Sequence, residues 1–246
     1  MDRMAYIAMT GARQTELAQA VTSNNLANIS TTGFRADLHG FRNLQVAGEG
    51  APTRHNAIAE TYATDFSPGA TVTTGRDLDV AIAGQGFLVV QTADGGEAYT
   101  RAGDLRTNSA GQLLTAKGDA VLGDSGPIAI PPSTSITIGT DGTVSVQVLG
   151  QGPQTLAAVG RLRLVNPPLE SLEKSADGLF RRTDGEASPA DASVKLTPGA
   201  LESSNVNVAE TLVTMISLAR QYELQVKTMT TAEENADAAA GLLRIR

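Results

Sequence analysis

The stretch NVNVAETLVTMISLARQYELQVKTMTTAEENADAAAGLLRIR, Asn205 to Arg246, decides how the rest of the chain is organised. Taken at alternating steps of three and four, it gives Val208, Leu212, Met215, Ala219, Tyr222, Val226, Met229, Glu233, Ala236, Ala240 and Leu243, apolar but for Glu233. No proline interrupts it, and its first glycine is Gly241. Asn207 with Glu210 three residues on predicts a capping-box-like start, in which side-chain oxygens take up the N–H groups that a first helical turn leaves orphaned. At about 1.5 Å per residue the helix runs for roughly 60 Å. A stripe of this period and length asks for a partner helix. Val213, Ile216, Leu218, Leu224, Leu242 and Ile245 lie off the stripe, so there is apolar surface for more than one neighbour. An ordinary two-helix hairpin satisfies the same pattern.

The partner stands at the other end of the sequence. From about Arg3 to Ile29, the positions Met4, Ile7, Gly11, Gln14, Ala18, Val21, Asn25 and Asn28 keep the same spacing, with a small and polar seam. Gly11 costs about 1 kcal/mol relative to alanine in a helix interior, but it lets another backbone come close. Alone in water such a helix is marginal, because packing supplies most helical stability. The two terminal helices are therefore natural partners. Asn28 to Gly33 reads as a polar helix end, with side chains competing for backbone hydrogen bonds and a glycine free to take positive φ. Asn24 and Asn25 do not fit that reading. Amides inside a helical seam are costly unless something specific is bonded to them.

Between the helices the pattern changes. Residues 35–75 lose clear periodicity and carry loop punctuation at Gly48-Glu49-Gly50-Ala51-Pro52 and Ser67-Pro68-Gly69, which predicts an extended arm or irregular hairpin. From Arg76 to Leu196 the signals are those of strands. Leu78, Val80 and Ile82 alternate, as do Ile136 and Ile138, and Val144, Val146 and Val148; Phe87-Leu88-Val89-Val90 is a buried run. Asp94-Gly95, Asp141-Gly142, Asp177-Gly178 and Asp184-Gly185 mark turns. The expected fold class is α+β: long N- and C-terminal helices forming a coiled-coil-like unit that brackets an inserted, mainly antiparallel β domain. The expected divisions are 1–34 (helix and Asn-rich turn, paired with 200–246), 35–75 (arm or linker), 76–199 (β domain) and 200–246 (C-terminal helix).

Composition excludes several functions. A formal charge of −7 supplies no basic face to neutralise phosphates, which argues against nucleic acid. There is no cysteine, hence no disulfide or thiolate metal site. No run of about 18 apolar residues exists to span a membrane. The opening Met1 to Met9 mimics a short signal segment, but it lacks a basic start and is interrupted by Thr10-Gly11 and Arg13, so no cleaved signal is expected. His39 and His55, the only histidines, stand sixteen apart with no accompanying carboxylate cluster, and read as surface residues. Gly84-Gln85-Gly86 begins a dinucleotide-like pattern, but Val89 occupies the third glycine position and a strand follows. Gly123-Asp124-Ser125-Gly126 is one residue short of a nucleophile elbow. The Asp-Gly turns lack the ligand series of a calcium loop. No catalytic residue, cofactor or metal is assigned.

Asn24-Asn25-Leu26-Ala27-Asn28 followed by Thr31-Thr32-Gly33-Phe34 resembles the N-terminal signature of the flagellar rod and hook family. The resemblance continues through Leu78-Asp79-Val80-Ala81-Ile82, Gly84-Gln85-Gly86-Phe87, Tyr99-Thr100-Arg101 and Gly103, and through Gly199-Ala200-Leu201-Glu202-Ser203-Ser204-Asn205-Val206-Asn207. Met1-Asp2-Arg3, Tyr6, Ala8 to Ala12, Gly160 to Asn166 and Asp177 to Phe180 are similar to the proximal-rod branch. It implies a structural, non-enzymatic subunit of the basal-body rod, polymerising through its terminal helices into part of the drive shaft and export channel. The implied partners are copies of itself, other rod proteins and, in transit, the flagellar export apparatus; the implied location is the periplasmic rod. The expected assembly interface comprises Ile7, Gly11, Val21, Asn24, Asn25, Asn28, Gly33 and Phe34, with Leu212, Met215, Ala219, Tyr222, Val226 and Met229. Two alternatives stand beside it: a distal-rod or hook subunit, and a secreted β-domain enzyme or ligand-binding protein whose helices are a dimerisation device.

Overall fold

The C-terminal helix, α2, runs from Val208 to Leu243, and the N-terminal helix, α1, from Asp2 to Ala27. Asn207 caps α2 as its sequence position predicts: its Oδ1 accepts from the N–H groups of Ala209 at 3.1 Å and Glu210 at 3.4 Å. The computed structural model describes residues 2–45, 55–148 and 156–243. These form two units, each assembled from separated pieces of chain: a helical unit of residues 1–29, 36–65 and 206–246, and a β unit of residues 30–35 and 66–205.

In the helical unit α1 and α2 lie side by side and antiparallel. Ala5, Tyr6 and Met9 surround one groove with Met229, Ala232, Glu233 and Ala236, while Gly11 faces Gln225. A methyl group added at Gly11 would sit 2.9 Å from the Gln225 carboxamide, which is the close approach a glycine permits. The α1 face turned inward is Ala8, Ala12, Thr15, Ala18, Thr22 and Asn25. Thr15 and Thr22 donate their hydroxyls to the carbonyls of Gly11 and Ala18, both at 2.9 Å. With the hydroxyl satisfied inside the helix, each threonine offers its methyl group to the packing. The expected arm contains an antiparallel ribbon of β1 (Asp37–Gln45) and β2 (His55–Thr64), with a register irregularity between Leu38 and His39, and both strands run beside α1.

The β unit is antiparallel throughout its described pairings. Its largest sheet runs in the order 172–174, 180–182, 97–100, 87–91, 120–123, 113–115 and 105–107, with 126–127 and 164–165 joined alongside. A second sheet joins 133–138, 143–148 and 156–161. Strand 87–91 is buried on both faces, so its apolar residues run without alternation. Leu88 and Val90 enter the main core with Leu105, Leu113, Val121, Val144 and Val146; Phe87 and Val89 enter a second cluster with Tyr99, Leu122, Val165 and Phe180. Asp94-Gly95, Asp141-Gly142, Asp177-Gly178 and Asp184-Gly185 are turns, each with its glycine at positive φ. Strand 71–73 pairs with 200–202, and residues 30–35 also pack here, so the unit reaches beyond the 76–199 expected from strand signals. Strands of three residues are too short to print a period.

Candidate functional site

The segments that carry the family resemblance converge, within the β unit, on one buried ionic cluster. Glu202, on strand 200–202, is 2 % exposed and uses three oxygens. Its Oε1 accepts from Arg35 Nη2 at 2.6 Å and from the Gly69 N–H at 2.9 Å; its Oε2 accepts from Arg101 Nε at 2.7 Å; its main-chain carbonyl accepts from the Gly33 N–H at 2.8 Å. Arg35 is 1 % exposed and Arg101 5 %. Burial pushes the Arg101 guanidinium below its usual range, outweighing the opposite pull of Glu202, and the positive Arg35 adds to the lowering. Arg101 also donates to the carbonyls of Gly86 at 2.8 Å, Gly84 at 2.9 Å and Ile82 at 3.3 Å. Gly84-Gln85-Gly86 thus aims carbonyls at a cation, the reverse of a loop that offers N–H groups to a phosphate.

Gly33 is at φ +65°, and a Cβ there would lie 2.3 Å from the Arg101 carbonyl carbon, so this close crossing requires glycine. Beside it, Lys174 places Nζ 3.9 Å from the centroid of the buried Phe34 ring and donates to the Arg35 carbonyl at 2.8 Å. Sequence patterns alone did not assign Arg35, Arg101 or Glu202. Each is a charged residue at the end of a short strand or in a loop, a position that ordinarily faces water.

In the helical unit the paired-asparagine problem resolves at Asn25. Its Nδ2 donates to the Asp37 carbonyl and its Oδ1 accepts from the Asp37 N–H, both at 2.9 Å. The side-chain amide thereby takes the place of a neighbouring strand at the start of β1. Asn28 donates from Nδ2 to the Asn24 carbonyl at 3.0 Å, and the Asn24 side chain is exposed.

The other residues expected at an interface divide by exposure. Gly33 and Phe34 are buried in the β unit; Gly11, Val21, Asn28, Met215, Ala219 and Met229 are half-buried; Ile7, Leu212, Tyr222 and Val226 are exposed. The contact within the chain uses a neighbouring face, on which Leu218 and Ala232 of α2 are buried. Because α1 presents alanine and threonine inward, hydropathy contrast along it is weak and does not fix which stripe faces α2. His39 is half-buried in β1, and the His55 side chain lies outside the described residues. Among the described residues no group of three or more His, Cys, Asp or Glu is placed to hold a metal ion, and no helix is long and apolar enough to cross a membrane.

Three family models match the chain: the flagella basal body rod protein model over residues 6–35, the flagellar hook protein FlgE/F/G D1 domain over 81–146, and the flagellar basal body rod FlgEFG protein C-terminal model over 197–242. The flagellar basal-body rod protein FlgF of Salmonella typhimurium is 45 % identical over 99 % of both chains, and that of Escherichia coli 43 % over the same shares. The FlgG protein of Bacillus subtilis is 33 % identical over 95 % of this chain and 96 % of its own. With both terminal helices and the β unit matched in order, the chain belongs to the flagellar basal-body rod protein family and is similar over nearly its whole length to the FlgF members.

Proposed function

We propose that the chain is a non-enzymatic structural subunit of the proximal rod that polymerises through its terminal helices. One observation carries this reading. After α1 and α2 have packed together, large apolar side chains remain exposed along both: Met4, Tyr6, Ile7, Met9 and Leu17 on α1, and Leu212, Val213, Ile216, Tyr222, Leu224 and Val226 on α2. An apolar surface of that length is covered in a working protein, and further rod subunits are the covering this family supplies. The charges along Asn205–Arg246, five acidic against four basic, let helices crowd without strong repulsion of like charges. On this reading the partners are other copies and other rod proteins, with the export apparatus met in transit and the periplasmic basal body as destination.

The test is Val226→Asp. In a dry interface the new carboxylate costs several kcal/mol, about 3–5 by analogy with broken buried pairs, whereas on an exposed helix it keeps its water. The variant is expected to be made, to keep the thermal transition of the β unit and to be missing from purified basal bodies, with loss of swimming. Gln221→Asp, on an exposed polar position of α2, is the control and incorporates normally. Normal incorporation of the Val226 variant would remove this face from the interface.

A further inference from the structure

Glu233 is the one charge in the stripe of α2, and packing inside the helical unit gives it nothing to do. It is the one charged residue lining the groove of about 370 Å³ between Tyr6 and Met9 of α1 and Met229, Ala232 and Ala236 of α2. Tyr6, Met9 and Ala236 are exposed there after the helices have packed. Glu234 and Asp237, both exposed, stand next to Glu233, and after Lys227 the chain has no basic residue before Arg244. Among the described residues none of these three carboxylates is in an ion pair. The groove is thus an apolar floor with an acidic edge.

The complement of such a groove is a short segment in which aliphatic and basic side chains alternate. The chain has two. Arg161-Leu162-Arg163-Leu164 is committed to the β unit, where both leucines are buried. The other is Leu243-Arg244-Ile245-Arg246. It does not serve its own groove. Leu243 stands ten residues beyond Glu233, about 15 Å along α2, and two further residues span at most about 7 Å. We propose that the groove receives residues 243–246 of a second copy of this chain, with Leu243 and Ile245 on the apolar floor and Arg244 and Arg246 against Glu233, Glu234 and Asp237. The choice of a second copy rests on the rod reading above. Groove and segment are different surfaces, so each docked pair leaves one groove and one segment unused. Repeated, the contact builds an open, directional series of subunits, not a closed dimer.

The chain has no cysteine, so single cysteines report on this contact in the full-length protein. Ala236→Cys marks the groove, and Leu242→Cys marks the segment while leaving both aliphatic anchors and both arginines in place. Mixed and mildly oxidised, the two variants are expected to form a disulfide at least about tenfold faster than Leu242→Cys forms with the exposed Ser217→Cys, because docking raises the effective concentration of the thiols. Adding Glu233→Arg to the groove variant should slow the reaction by about fivefold, the upper range for an exposed ion pair. Adding Arg244→Glu and Arg246→Glu to its partner should restore it. A rate no higher than the Ser217 control overturns the proposal, as does a loss that the reversed charges do not restore. Disulfides formed mainly between two Ala236→Cys chains would mean that groove faces groove, and overturn it too. The rod reading fails separately, on incorporation of Val226→Asp, since a groove filled by a different rod protein would leave that result unchanged.

Discussion

Removing either partner from a buried ion pair does not cost the same, and the Glu202 cluster shows why. Glu202→Gln leaves two guanidinium groups buried against a neutral amide, so it should destabilise the β unit by about 3–5 kcal/mol. Arg35→Met deletes one cation together with the two nitrogens, Nε and Nη1, that find no hydrogen-bond partner among the described residues, and leaves a one-to-one pair, so it should cost less than about 2 kcal/mol. Urea unfolding of the full chain, followed by the β-unit transition, measures both; equal losses would contradict this account of the cluster. A second residue makes a prediction about pH. Asp104 faces Asp79 across an isolated antiparallel bridge, and burial, reinforced by that neighbouring carboxylate, pushes its carboxyl above the ordinary range, while its own backbone bond, Arg76 and Lys117 pull it down. A raised folded value means that the folded state binds the proton more tightly. Stability is therefore lost as pH rises from the ordinary value near 3.9 through the folded value, and it stays lost above that. Asp104→Asn should be more stable than the parent at pH 7 and show a smaller advantage at about pH 3, where the parent is protonated in both states. Neither residue announced itself in the sequence, because burial of a charge is decided by segments far apart in the chain.

Helices and strands were legible to very different degrees. Both terminal helices, the cap at Asn207, the doubly buried strand 87–91 and the Asp-Gly turns follow from local pattern, since period, cap and turn chemistry are fixed within a few residues. The inward face of α1 does not, because Ala8, Ala12, Thr15, Ala18 and Thr22 differ little in hydropathy from their neighbours. Strands 71–73 and 200–202 were hidden by their length, whereas the ribbon of β1 and β2 lies in the stretch read as an extended arm or irregular hairpin, with only its bounds blurred by weak alternation. The asparagines gave a half-legible signal: a cost without a visible beneficiary. The beneficiary is the start of β1, and a measurement isolates it. Asn25→Leu keeps the side-chain volume but removes both hydrogen bonds that the amide makes with Asp37, at about 1–3 kcal/mol. Amide hydrogen exchange at Asp37 should accelerate in that variant and stay slow in Asn24→Ala, whose side chain is exposed. Slow exchange in both would mean that the β1 ladder protects Asp37 unaided.

At the scale of the molecule, the β unit is an insertion and the helical unit is the frame that surrounds it in sequence. The first helix packs against the last, so the contact between Gly11 and Gln225 spans almost the whole chain. Such a fold is completed late. A ribosome delivers α1 first and α2 last, and contacts of high sequence separation close slowly because the intervening loop must be brought in before they are made. The same timing governs the ionic cluster, whose carboxylate arrives at position 202, long after Arg35 and Arg101. A chain that stops short of residue 200 therefore keeps an unpaired α1 and two uncompensated arginines. Both units therefore remain unfinished for want of one and the same segment, which carries the partner of α1 and the carboxylate that Arg35 and Arg101 share.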